Sequence, residues 1–289
     1  MPCCKTCTTA LYITAPARCS PNGMKYLLPV RLLLLTSCLY RRLTSASTMA
    51  AMWPKVILFR DSITQYSFKD GGWGAVLADK LQRRCDVLNR GISGYNTKFG
   101  SIILPKIITK ETASNVAMVT IFFGANDASL PEINPQQHVP VIKYKHYLQS
   151  MIDYLKAIEI NEERIILIGP PPVDEKAWEV ECIKKGSTLN RKLAVTGEYS
   201  KACCEVADTN NINCIDLWTS MQKVQNWSEF LADGLHLSKK GAAFLEETLT
   251  PIVLKKLEYV GLQFPYWADI DRDDPAKTIE AYNPYCPSQ

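Results

Sequence analysis

Three histidines in a chain of 289 residues leave little choice of imidazole for acid–base chemistry. Acidic side chains are missing altogether from positions 1–60, where eight Lys/Arg stand alone. The rest carries 25 basic against 29 acidic residues, so the overall charge of +4 belongs to the N-terminal stretch and the body is mildly acidic. That balance gives no argument for a nucleic-acid partner. Long apolar runs are lacking too, and the one at 32–35 is far too short to span a bilayer. No G-x-S-x-G elbow occurs, which argues against the α/β-hydrolase fold. Neither a G-x-x-x-x-G-K-[ST] phosphate loop nor an H-E-x-x-H zinc helix is present. Gly72-Trp73-Gly74 misses the third glycine of a dinucleotide loop. With no internal repeat and no linker inside 55–260, a single domain is expected at 53–260.

Cysteine, by contrast, is plentiful. Five of the eleven fall in the first 38 positions, and an odd count at irregular spacing is not a secreted disulfide framework. Cys85, Cys203, Cys204 and Cys214 lie in or beside apolar segments and read as buried reduced thiols. Cys4-Lys5-Thr6-Cys7 is a lone C-x-x-C without the second pair that would make it a zinc signal. Residues 1–52, basic and Ser/Thr-containing, fit an organelle transit peptide, less well a secretory signal, or a disordered extension with no address. Met49 and Met52 precede the first strand, and a start there would remove the leader. The favoured reading is cytoplasmic, with mitochondrial targeting as the alternative.

Apolar β-prone runs at 56–59, 85–89, 116–123, 164–168 and 213–217 alternate with helical patterns at 73–84, 99–109, 143–158, 187–208 and 239–257. Alternation of this kind predicts an α/β protein, a parallel sheet covered on both faces by helices. Pro105 is expected to kink or restart its helix. The stretches 128–141 and 170–181 read as proline-punctuated loops, and the tail 261–289 as packing Tyr266 and Trp267 on the body.

Ligands of open α/β sheets bind outside the carboxyl ends of the strands. Four segments at strand ends or in late loops carry reactive groups. The first strand breaks into Arg60-Asp61-Ser62-Ile63, and a serine there is placed as a nucleophile would be. Its hydroxyl needs a base. His138 sits in a proline-rich loop and His146 on a helix, so both read as ordinary histidines. His236 differs because Asp233 precedes it by three positions, close enough to orient the imidazole. Alone, Asp233-Gly234-Leu235-His236 could equally cap the following helix. The Asn126 amide and the Ser62 and Gly94 backbone N–H groups could serve a developing oxyanion. Each signal has a bland counterpart, a plain turn at 124–127 and loop flexibility at Gly91 and Gly94. Their occurrence in this order, each after its own strand, is harder to dismiss.

Together these residues resemble the SGNH hydrolase superfamily, the GDSL-type lipases and esterases. The four blocks are Arg60-Asp61-Ser62-Ile63, Gly94 within 89–97, Gly124-Ala125-Asn126-Asp127 and Asp233 to His236. The resemblance covers roughly 53–260. Block spacing, with Gly71-Gly72-Trp73-Gly74 and Asp216-Leu217-Trp218, looks similar to the isoamyl acetate-hydrolysing esterase homologues. It implies a three-layer α/β/α sandwich with a flavodoxin-like five-stranded parallel sheet in the order 2-1-3-4-5. It implies Ser62 as nucleophile, His236 as base, Asp233 as its partner, and Ser62, Gly94 and Asn126 as oxyanion donors. The implied substrate is a small ester of short or medium acyl length, cleaved without metal or organic cofactor. One position departs from the pattern: Arg60 stands where the family has Gly. If the backbone there needs a positive φ, the substitution costs about 1–2 kcal/mol. If it needs space, Ser62 moves. An arginine pointing outward would be tolerated, and one that spoils the site would leave a binding module.

Overall fold

The computed structural model describes residues 52–285. The transit-peptide and C-x-x-C expectations fall outside them. Five strands and ten helices alternate from Lys55. They are β1 (Lys55–Arg60), α1 (Ser62–Gln65), α2 (Trp73–Lys80), β2 (Asp86–Gly91), α3 (Thr97–Ile107), α4 (Lys110–Ala113) and β3 (Val116–Phe122). Then come α5 (Val141–Ala157), β4 (Ile165–Ile168), α6 (Glu175–Lys184), α7 (Leu193–Thr209), β5 (Asn213–Ile215), α8 (Leu217–Gln222), α9 (Lys239–Lys256) and α10 (Pro275–Ala281).

All pairings are parallel, and the strand order is β2-β1-β3-β4-β5. Side chains alternate between two cores. Val56, Leu58, Met118 and Ile166 pack with Trp73, Trp178, Leu217 and Leu245 from α2, α6, α8 and α9. Ile57, Phe59, Val119 and Leu167 pack with Leu104, Leu148 and Val206 from α3, α5 and α7. Burial on both faces explains why β3 and β4 read as unbroken apolar runs. The fold is the expected α/β/α sandwich.

Several expectations need correction. The stretch 170–181 is not all loop, because α6 begins at Glu175, capped by the Asp174 carboxylate, which accepts from the Lys176 and Ala177 N–H groups. The helix expected from 187 starts only at Leu193. Residues before it run extended, with Leu130 N–H donating to Asn190 O and Arg191 bridging to Ser129. Pro105 sits in the last turn of α3, which runs through it and ends at Ile107. Cys85 and Cys203 are free and buried, whereas Cys204 and Cys214 are joined in a disulfide. Tyr266 and Trp267 are largely exposed. The tail is instead held by its backbone: Gln263 N–H donates to Arg83 O, and the Arg83 guanidinium donates to the Phe264 and Pro265 carbonyls. Among the described residues no helix is long and apolar enough to cross a membrane.

Candidate active site

The site lies at the carboxyl end of β1, where the chain leaves the sheet and turns at once into α1. Asp61 caps that short helix, its Oδ1 accepting from Ile63 N–H at 3.0 Å. Ser62 is therefore the first residue of a helix, with its hydroxyl nearly buried. Gly91, at the end of β2, lets α1 lie close. A Cβ there would stand 2.0 Å from the Gln65 nitrogen, so its role is close approach and not loop flexibility.

Ser62 Oγ is 2.8 Å from His236 Nε2, and His236 Nδ1 is 2.7 Å from Asp233 Oδ2. The other Asp233 oxygen accepts from the His236 and Leu235 N–H groups at 2.8 and 3.0 Å. Burial pushes the Asp233 carboxyl up, but the His236 ring and these backbone donors outweigh it and bring it down to about 2. The histidine loop is closed by a bridge between Leu231 and Leu237 and by Ala232 N–H donating to His236 O. Gly234 adopts φ +89°, and a Cβ there would meet the Trp178 nitrogen at 2.5 Å. Only glycine fits. Ser238, not Asp233, caps the next helix, which removes the capping alternative. Tyr66 and Trp178 stand edge-on to His236, each with ring centroids 6.1 Å away. His138 instead bonds Ser129 O, and His146 tilts against Tyr147.

Asn126 follows β3 and is nearly buried. Its Nδ2 donates to Tyr95 O at 2.8 Å and stands 3.3 Å from Asp61 Oδ2. Gly94 has φ +81°. Among the described residues no protein acceptor engages the Ser62 or Gly94 N–H. Asp127 ties the second and third blocks, accepting from both Thr97 N–H and the Thr97 hydroxyl. Burial raises its pKa to about 7.

Two arginines beside this site carry most of what the sequence did not reveal. Arg60 does not point outward. Its side chain is fully buried, its backbone is an ordinary strand without positive φ, and its guanidinium carbon lies 3.2 Å from the Phe122 ring centroid. Nε is 2.8 Å from Asp61 Oδ1, yet no guanidinium nitrogen has an aligned hydrogen-bond partner. The contact is thus one of charge, and burial lowers the Arg60 pKa to about 10 despite Asp61. The backbone cost considered for Arg60 therefore does not apply, and Ser62 stands within reach of His236 with the arginine buried behind it. Arg191 is the second, buried just before α7. Nothing in its sequence surroundings marks it.

A hydroxyl on an imidazole, itself held by a carboxylate, beside unengaged N–H donors is an arrangement suited to acyl transfer. The sequence model of the GDSL-like Lipase/Acylhydrolase family matches residues 61–244, starting just after Arg60. The isoamyl acetate-hydrolyzing esterase 1 homolog of Mus musculus is 52% identical over 237 residues, covering 81% of this chain and 95% of that protein. A GDSL esterase/lipase of Arabidopsis thaliana is 42% identical, covering 79% and 98%. Among solved structures, the lipase/acylhydrolase from Enterococcus faecalis superposes with a TM-score of 0.55 at 29% identity, covering 71% of this chain and 95% of that one. An acetyl xylan esterase shares the fold with a TM-score of 0.56 at 22% identity, over 69% and 99%. The chain therefore belongs to the GDSL-like lipase/acylhydrolase family and, with it, to the carboxylic ester hydrolases.

Proposed function

We propose that this chain is a serine esterase that cleaves short- to medium-chain acyl esters, acetate esters among them, through an acyl-enzyme. The observation that carries the reading is the unbroken relay from Ser62 Oγ through His236 to Asp233, at 2.8 and 2.7 Å. Ser62 Oγ attacks the ester carbonyl as His236 Nε2 takes its proton. Asp233, held as a carboxylate, orients the ring and stabilises the imidazolium. The oxyanion is received by the Ser62 and Gly94 N–H groups and by Asn126 Nδ2, whose bond to Asp61 is long enough to give way. His236 then protonates the leaving alcohol. Water, deprotonated by the same nitrogen, releases the acid and restores Ser62. The chemistry needs no metal or organic cofactor. A cleft of about 560 Å³ beside His236, bordered by Ile63, Tyr66, Trp73 and Leu237, suits a small ester, and the mouse relative is named for isoamyl acetate. Residues 53–260 are the proposed catalytic domain, preceded by the extension 1–52 and followed by the tail 261–289.

A second reading, a binding module, rests on Arg60, whose guanidinium is buried without a hydrogen bond next to the residue that caps α1. Hydrolysis of p-nitrophenyl acetate by the full chain separates the two. The esterase reading expects turnover that Ser62→Ala abolishes. Equal rates for wild type and Ser62→Ala would remove the assigned nucleophile. An inactive wild type that Arg60→Gly restores would establish the module reading and its cause.

A further inference from the structure

We infer that Arg191 is the positioning residue of the oxyanion hole, fixing two of its three donors from one guanidinium. The inference rests on the esterase reading above and extends it to a residue outside all four motif blocks.

Arg191 is 3% exposed, and every one of its guanidinium nitrogens is used. Nε donates to Ala125 O at 2.7 Å, which pins the backbone just before Asn126. Nη1 donates to Asn190 Oδ1 at 2.8 Å, an oxygen that also accepts from Trp178 Nε1 at 2.9 Å. Nη2 donates to Asn126 Oδ1 at 2.9 Å and to Gln137 Oε1 at 3.0 Å.

The Asn126 amide is nearly isosteric end for end, so packing alone would not decide which end faces the site. Guanidinium can only donate, and a backbone carbonyl can only accept. Arg191 on one side therefore requires Oδ1, and Tyr95 O on the other requires Nδ2. A flipped amide would set donor against donor and oxygen against both Tyr95 O and the Asp61 carboxylate. Without Arg191, only the acceptor side would hold the orientation, and nothing would anchor the far end.

The same Nη2 reaches the second donor through Gln137. Gln137 Nε2 donates to Gly94 O at 3.0 Å, and its Oε1 is held by Arg191 and by Asn134 Nδ2 at 2.7 Å. Ser93 N–H is tied to Gln65 Oε1 at 2.7 Å. The Gly94 peptide is thus bracketed on both sides, leaving its own N–H aimed by anchors and not by chance. The loop 128–141, read from sequence as proline-punctuated, contributes Gln137 to this clamp. Preorganised donors are what an oxyanion hole needs, because they stabilise charge without reorganising during the reaction.

The test is a double-mutant cycle on the full chain with p-nitrophenyl acetate, kcat and KM measured separately and urea unfolding run on each variant. Loss of one oxyanion donor typically costs about 10²–10³ in kcat. Arg191→Met is expected to lower kcat about 10²-fold with KM within about threefold of wild type. In the Asn126→Ala background the same substitution is expected to cost less than about tenfold in kcat, because the donor it positions is already gone, while its loss of stability stays the same. Arg191→Lys keeps the charge and can reach one acceptor, so it should recover at least about tenfold of the lost kcat. If Arg191→Met does not fold, Arg191→Lys carries the cycle. Equal kcat losses in both backgrounds, or a loss confined to KM, would overturn the positioning role while leaving the esterase reading intact. A wild type no faster than Ser62→Ala would overturn that reading and this inference with it.

Discussion

Arg60 and Arg191 are both buried, both lie in the field of Asp61, and both have their pKa brought to about 10 by burial. They differ in their partners. Arg191 makes four hydrogen bonds from its three guanidinium nitrogens, to Ala125, Asn190, Asn126 and Gln137. Arg60 has a neighbouring carboxylate and an aromatic face but no aligned acceptor. A buried charge stabilises only when its donors are satisfied as well as its charge balanced. The first arginine should therefore be a burden that the fold tolerates, and the second a part of the fold.

The sharpest way to break this contrast is to replace each by methionine, which has similar length and no charge. Arg191→Met leaves Ala125 O and Asn126 Oδ1 without their donor and should lower unfolding stability by about 3 kcal/mol, measured by urea denaturation. Arg60→Met removes a charge with no hydrogen bond and fills the same space over Phe122. The desolvation relieved at the guanidinium is then offset by the cation that buried Asp61 loses, so stability should change by less than about 1 kcal/mol. Equal losses for the two would show that the Asp61 ion pair matters more than hydrogen-bond alignment.

A smaller effect tests the charge around them. Asp127 is fully buried, and its folded pKa of about 7 lies above the ordinary carboxylate value. The folded state therefore holds a proton that the unfolded state releases. That contribution is full below about pH 4 and is lost as pH rises through about 7. Asp127→Asn should flatten the stability profile across that window, read as urea midpoints at several pH values. An unchanged slope would place the titration elsewhere. Asp233 runs the other way. Its folded pKa of about 2 means stability present above about pH 4 and lost as pH falls towards 2.

The sheet was legible because β3 and β4 must be apolar on both faces, which marks them without ambiguity. Three of the four reactive segments were legible because each follows a strand, and the fourth because Asp233 and His236 stand three apart in a loop before the last long helix. The strand order came from the family resemblance, since periodicity carries no information on lateral order. Other features had weaker signals. Helix α6 buries only Trp178 and Cys182 and follows a proline run, so its pattern is faint. Cys204 and Cys214 lie on α7 and β5, and their pairing depends on how helix packs on strand. The inward aim of Arg60 did have a signal: it shares strand parity with Val56 and Leu58, whose face is core. Arg191 had none. A lone arginine in a polar stretch acquires meaning only when Ser129, Asn126 and Gln137 are brought around it.

The central claim is that Ser62 is an activated nucleophile despite Arg60. Intact-mass and peptide analysis of the full chain after reaction with a fluorophosphonate tests it most directly. The account predicts one adduct, mapped to Ser62, formed by wild type, absent from Ser62→Ala, and at least about 10²-fold slower in His236→Ala. A folded wild type that takes up no label at Ser62, or one labelled as fast without His236, would contradict it.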